Sequence, residues 1–261
     1  MQEQNNKDTP SVLDVAPMQT AHQKLIRDHN ATEPYRGLFA PPWESIDHDI
    51  SKAIVRPVSY ATAKTIIEKY EWLGSMAQRT THCFGIYFDG LMGGAACFSL
   101  PPTPQAAEGP CGSDYSHLIK TLSRGACVHW AHPHSASKLI GQSIAWMIAN
   151  TSFRVFIAYA DPRAGEIGTV YQATNWLYTG TTNGDIEYLI DGQWKSGRTA
   201  RHKSYQRRGI DYRVMPQRRG VEKHRYVFIG GSRKEQRVLM KALRYDILPY
   251  PKRTYCVEEI E

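Results

Sequence analysis

The residues that could do chemistry gather in the middle of the chain. Asp161 follows a nearly unbroken apolar run, FRVFIAYA at 153–160, and opens the turn ADPRAG. A carboxylate at such a strand end can accept a proton, or it can cap the turn that follows. Arg124 stands after a serine in the apolar stretch TLSRGACVHW (121–130), where a guanidinium needs an anion. A phosphate or a carboxylate, Asp161 included, would satisfy it. Tyr171, in TVYQATN, carries a phenol that could protonate a leaving group, stack on a ring or fill a core. Glu71 and Trp72, in YEWLG, pair a carboxylate with a broad aromatic plane. Asn175 and Trp176 form a further polar–aromatic pair, with packing the expected role of Trp176. His129, His132 and His134 give an HxxHxH pattern with no carboxylate nearby, so a metal centre is not expected. No Cys-His-Asn or Ser-His-Asp arrangement supports a hydrolase.

These residues need elements to position them. The alternation in AIVRPVS (53–59) predicts a strand, with Pro57 near a sheet edge, and SYATAKTIIEKY (59–70) has helical spacing with Ser59 as its cap. HCFGIYF and LMGGAACFS flank Asp89-Gly90 and read as a hairpin. A Pro/Gly-rich loop fills 101–113. A strand at 121–130, a helix at 137–150 and a central strand at 153–160 follow, then a short helix at 165–175. WLYTGTT (176–182) and DIEYLI (185–190) read as a second hairpin about Asn183-Gly184, with a third strand after Asp191-Gly192. A helix near 199–208, a strand at 225–229 and a helix at 232–244 complete the pattern. Strands and hairpins together predict an α+β fold, helices against a mixed, largely antiparallel sheet. The expected division is a flexible arm and lead-in at 1–50, a catalytic core at 51–194, a basic extension at 195–253 packed on the core, and a tail at 254–261.

Charge narrows the partners. The 261 residues carry 32 Lys and Arg against 25 Asp and Glu, but residues 195–253 hold 18 of the basic and only 4 of the acidic ones. The net +14 of that quarter, interleaved with tyrosines, points to a nucleic acid, whose phosphates release condensed counterions when neutralised. No apolar run is long enough to span a bilayer, and MQEQNNKDTP lacks the pattern of a secretory signal. Five scattered cysteines without CxxC spacing suit a reducing cytoplasm.

The order strand, loop, helix, strand, loop, helix, strand across 122–182 resembles the centre of the GNAT acyltransferases. There, the turn into the helix holds a donor pyrophosphate on free backbone N–H groups. Ser137 is the expected helix cap, and Lys138, Gly141 and Ser143 stand in a degenerate form of that family's Gln/Arg-x-x-Gly-x-Gly/Ala signature. Longer strings are more specific: AYADPRAGEIGTVYQATNWLYTG (158–180), LSRG (122–125), YEWLG (70–74) and HRYVFIGGSRKEQRVLMKALRYDILPYPKR (224–253) resemble the Mom DNA-modification family over roughly residues 53–253. That resemblance implies a GNAT-like bacteriophage enzyme of the host cytoplasm. It converts adenine in double-stranded DNA to N6-(carbamoylmethyl)adenine and so protects DNA from restriction. For that chemistry the expected catalytic residues are Asp161, Arg124 and Tyr171, with Ser137, Lys138 and Gly141 of the GNAT-like signature toward the donor, and Glu71, Trp72 and Asn175 toward the flipped base. The product contains a nitrogen that acetyl-CoA lacks, which makes glycyl-tRNA the expected donor and acetyl-CoA its rival. An ordinary acetyl-CoA-dependent N-acetyltransferase and a non-catalytic GNAT-like DNA-binding module are the alternatives.

Overall fold

The computed structural model describes residues 21–33 and 41–252. The elements are α1 (His22–Thr32), β1 (Ile54–Val58), α2 (Tyr60–Tyr70), β2 (Thr80–Phe88), β3 (Leu91–Ser99), α3 (Pro104–Glu108), β4 (Ile119–Cys127), α4 (Ser135–Asn150), β5 (Val155–Ala160), α5 (Thr169–Gln172), β6 (Leu177–Thr181), β7 (Ile186–Ile190), β8 (Gln193–Ser196), α6 (Gly197–Ala200), α7 (Lys203–Arg207), β9 (Gln217–Arg219), β10 (His224–Ile229) and α8 (Arg233–Ala242). Seven strands form one sheet in the order β1-β2-β3-β4-β5-β10-β6, and β8-β7-β9 form a second. This is the α+β architecture, helices flanking a largely antiparallel sheet, that the strand and helix pattern predicts. No described helix is long and apolar enough to cross a membrane.

Local chemistry accounts for the elements. Asp89 (φ 43°) and Gly90 (φ 84°) are both left-handed, which gives the β2–β3 turn the twist a two-residue hairpin requires. Ser59 caps α2 by accepting the Thr62 N–H at 3.0 Å, and Ala63, Ile67 and Tyr70 bury that helix's inner stripe. Burial is unbroken from Gly93 to Ser99 because α2 and α4 both pack on the strands around β3. Along β5 alternate residues part company. Phe156, Ala158 and Ala160 join the large core with α4, while Val155 and Ile157 pack with Val227 and with Leu239 of α8.

The sheet is split between β4 and β5. β4 and β5 are its one parallel pair, and they are paired only through Ile119–Leu122 against Val155–Ala158. Beyond that point β4 runs on to Cys127 beside β3, and β5 to Ala160 beside β10, without pairing to each other, so Arg124 lies on one lip and Asp161 just past the other.

Four sequence expectations need correction. The stretch 22–32 is a helix rather than loose arm: Gln23 donates to the Gly125 carbonyl at 2.7 Å, and Arg27 reaches the carbonyls of His129 and Ala131. Of the remaining arm, residues 1–20 and 34–40 lie outside the described residues, as does the tail at 254–261. β6 and β7 do not pair as a hairpin. β6 pairs with β10, and β7 with β8 and β9, because the Asn183-Gly184 segment leads from one sheet to the other. The helix near 199–208 is two short ones, α6 and α7. Finally, β10, which lies in the basic quarter of the sequence, is an interior strand of the main sheet between β5 and β6.

Candidate active site at the split of the sheet

Arg124 is anchored on the β4 lip. Its Nε donates to the Ser75 carbonyl at 2.6 Å and its Nη1 to the Ser123 carbonyl at 2.6 Å. The carboxylate it meets is Glu71, at 3.8 Å, and not Asp161. Glu71 follows α2, is buried, and accepts the Leu73 N–H at 2.8 Å. Burial lifts its pKa, against the lowering effects of Arg124 and the Leu73 and Gly74 amides. Trp72, half-buried beside it, packs edge-on against His22 of α1 at 5.9 Å between centroids.

Asp161 is buried at the end of β5 and fully engaged. Its carboxylate accepts the Arg163 N–H at 3.0 Å, takes the Arg163 guanidinium at 3.2 Å and binds the Lys223 ammonium at 3.1 Å. Burial raises its pKa, but the bonds and charges of Arg163 and Lys223 outweigh that and hold it below 3.8. Asp161 therefore caps the turn and stays ionised. Arg163 extends the chain of charges, donating to Glu187 at 2.8 Å, and Arg218 meets the same carboxylate at 2.9 Å. This relay ties the small sheet to the lip of the large one.

The free acid of the group is one that the sequence pattern did not single out. Glu166 has no hydrogen bond or ion pair to its carboxyl among the described residues. Burial first, then the charges of Glu71 and Asp161, lift it to about 7. Only the tertiary arrangement could reveal this, since Glu166 follows an ordinary turn and gains its character from carboxylates that other elements bring. Tyr171, on α5, is shifted far upward by burial and then by Glu166 and Glu71, which keeps its phenol a proton donor. Its ring lies 5.2 Å from Tyr226 and 5.3 Å from Trp176. Gly168 makes this packing possible: it is left-handed (φ 79°), and a Cβ there would stand 2.3 Å from the Tyr226 ring. Asn175 is an exposed left-handed residue (φ 58°) after α5, and Trp176 is fully buried as packing predicts.

The start of α4 also differs from the sequence reading. The N-cap of α4 is His134, so Ser137 is the third helical residue and not the cap. Lys138 donates its N–H to His134, and its ammonium binds the carbonyls of Ile50 and Ser51. Gly141 lies deeper in the helix with nothing near its Cβ position, so it is neither packed nor able to offer a free amide. The amides left without an acceptor among the described residues are those of Ala136 and Ser137. Beside them Ser135 is fully buried, and its Oγ has no partner. An orphaned hydroxyl next to two free amides fits an oxyanion or phosphate.

The histidines do not converge. His129 bonds the Tyr70 hydroxyl at 3.1 Å through Nδ1, while the Nδ1 of His132 accepts the His134 N–H. Among the described residues no group of three or more His, Cys, Asp or Glu could hold a metal ion. Cys83, Cys97, Cys111 and Cys127 are buried free thiols, and Cys256 lies outside the described residues.

The chain is 32% identical over 97 residues to the methylcarbamoylase mom of Escherichia phage Mu, an alignment covering 36% of this chain and 40% of that one. Among solved structures, a spermidine N-acetyltransferase from Vibrio cholerae is similar at 8% identity and a TM-score of 0.44, covering 73% of this chain and 97% of that one. A ribosomal-protein-S5-alanine acetyltransferase from Vibrio fischeri is similar at 10% identity and a TM-score of 0.41, covering 70% and 94%. The Mom protein family matches residues 52–252, which takes in both sheets, the split and every carboxylate gathered at it, and the chain belongs to that family.

Proposed function

We propose that the protein modifies adenine in double-stranded DNA, converting it to N6-(carbamoylmethyl)adenine by group transfer to the N6 amine and shielding the DNA from restriction. The observation that carries the reading is Glu166, which follows the strand end at Asp161, donates its N–H to the Asp161 carbonyl at 3.3 Å, and has an unpaired carboxyl that burial and the charges of Glu71 and Asp161 lift to about 7, in a Mom-family chain. The exocyclic amine of adenine is a weak nucleophile, because its lone pair is drawn into the ring. Attack requires a base that takes the N6 proton as the bond forms, and a group titrating near neutrality is best matched to that task. Arg124 and the Tyr171 hydroxyl act on the carbonyl oxygen that gains charge. Glu71 and Trp72 on α2's end receive the flipped base, and Asn175 stands at the rim. Asp161 acts as a fixed anion that holds Arg163 and Lys223.

The donor of this reading is glycyl-tRNA. N6 attacks the glycyl ester carbonyl, the C–O bond breaks, and the 3′-hydroxyl leaves with the proton. The product carries N–CO–CH2–NH2. Its terminal amine then attacks C6 through a five-membered ring, and cleavage of the original C6–N6 bond leaves C6–NH–CH2–CO–NH2. The amides of Ala136 and Ser137, with the Ser135 hydroxyl, would hold a donor phosphate in this scheme or the pyrophosphate of acetyl-CoA in the rival one.

The test is mass spectrometry of deoxynucleosides from a bacterial host expressing the protein. A deoxyadenosine heavier by C2H3NO supports the proposal, and ribonuclease removal of tRNA in vitro should then abolish the reaction. A gain of C2H2O would favour the acetyl-CoA reading, and unmodified DNA with tight binding would favour the binding module.

A further inference from the structure

We infer that the small sheet, with α6 and α7, is the surface that grips the DNA backbone beside the adenine being modified; this rests on the proposed reading of the site. Residues 185–219, which make up the small sheet with α6 and α7, contain nine Lys and Arg and four acidic residues, Asp185, Glu187, Asp191 and Asp211, a net +5. Among the described residues, Tyr188, Ile190 and Ala200 form the buried core beneath them, with Tyr205, Ile210, Tyr212 and Met215 partly buried against it. That excess is concentrated in cations without a carboxylate, whose mutual repulsion a polyanion would offset. Exposed Arg201, Lys203, Arg207 and Arg213 have no carboxylate partner among the described residues. Aromatic rings hold several of the guanidinium groups in place, as Arg201 and Arg213 lie 5.7 and 5.6 Å from the Tyr212 ring and Arg218 lies 4.4 Å from Trp194. Fixed, desolvated-on-one-side cations interleaved with aromatic rings suit a phosphate backbone.

Position separates this surface from the other basic face. α8 also exposes Arg233, Arg237 and Lys241, one helical turn apart. Its tie to the sheet, Arg154 to Glu235 at 2.9 Å, is at the Val155 end of β5, about 20 Å of strand away from Asp161. The small sheet is joined at the Asp161 end, through Arg163 and Glu187, so a duplex lying on it passes the split. Charge complementarity and that placement commit the surface to duplex DNA.

The experiment measures duplex binding against salt for the full chain and two variants. Replacing Arg201, Lys203, Arg207 and Arg213 by Gln should weaken binding more than tenfold. It should also flatten the salt slope by about 0.9 for each phosphate that is no longer neutralised. Arg233→Gln with Arg237→Gln and Lys241→Gln should leave the slope near wild type. Circular dichroism checks that both variants fold. An independent readout uses the wild-type protein: duplex DNA should shield Lys203 from acylation while Lys234 and Lys241 stay reactive. A wild-type slope in the first variant, a slope lost only in the α8 variant, or loss of single-stranded RNA binding with duplex binding intact would overturn the inference. Failure of the reaction itself is distinguishable, since steep binding through Lys203 with no modified adenine leaves the surface standing and removes the chemistry.

Discussion

Arg163 and Glu187 lie 2.8 Å apart although 24 positions separate them, and their contact fastens the small sheet to the end of the strand that carries Asp161. Glu187 is buried between Arg163 and Arg218, both partly exposed. Glu187→Gln leaves Arg218 without its anion and Arg163 with Asp161 alone, and unfolding in urea should show a loss of ~2 kcal/mol. Modification should fall with it, since the small sheet would no longer be held in register with the split.

Asp161 supports a pH argument. Its folded pKa lies below the ordinary 3.8, so its stabilisation is present above that value and is lost as pH falls through the folded one. Asp161→Asn should lower stability at neutral pH by ~2 kcal/mol and make the difference from wild type shrink below about pH 4. Thermal midpoints of both proteins across the acid range measure this. A difference that persists unchanged in acid would show that the carboxylate charge is not what stabilises the turn.

Glu166 has the opposite sign. Below 4.5 its carboxyl is protonated in both folded and unfolded chains. As pH rises from 4.5 to about 7 the unfolded chain ionises first, so the fold loses stability, on the order of 1–3 kcal/mol. Glu166→Gln should therefore be more stable than wild type at pH 8 and equal to it at pH 4. Its rate should drop by about 10²-fold or more, and the rise of wild-type activity through neutral pH should vanish.

The helix before the family match touches β4 and the segment after it: Gln23 of α1 donates to the Gly125 carbonyl and Arg27 to those of His129 and Ala131. Cys127, between them in sequence, is buried, with a thiol that burial pushes up to about 12 against the lowering charge of Arg27. Removing residues 1–40 should leave the remainder folded and make Cys127 open to alkylation, read by mass spectrometry. Gln23→Ala with Arg27→Ala should give a partial version of the same effect.

Much of this protein was legible in order along the chain. Apolar runs and caps located β2 to β5, α2, α4 and α8, because each depends on its own residues: Ser59 and Ser232 at helix starts, Asp89-Gly90 in a turn that needs two left-handed residues. The α+β class and the basic quarter followed from pattern and composition, and the strings around Asp161 carried the family. The tertiary structure decided what depends on partners distant in sequence. Pairing sent β6 and β7 to different sheets and placed β10 beside β5, since a hairpin signal such as Asn183-Gly184 specifies a turn but not which strand wins the pairing. Packing turned Arg124 toward Glu71 and left Asp161 to Arg163 and Lys223. Above all, it made Glu166 the free acid of the site, because a carboxyl's proton affinity is set by the burial and charges around it, and those come from elements up to about a hundred residues apart.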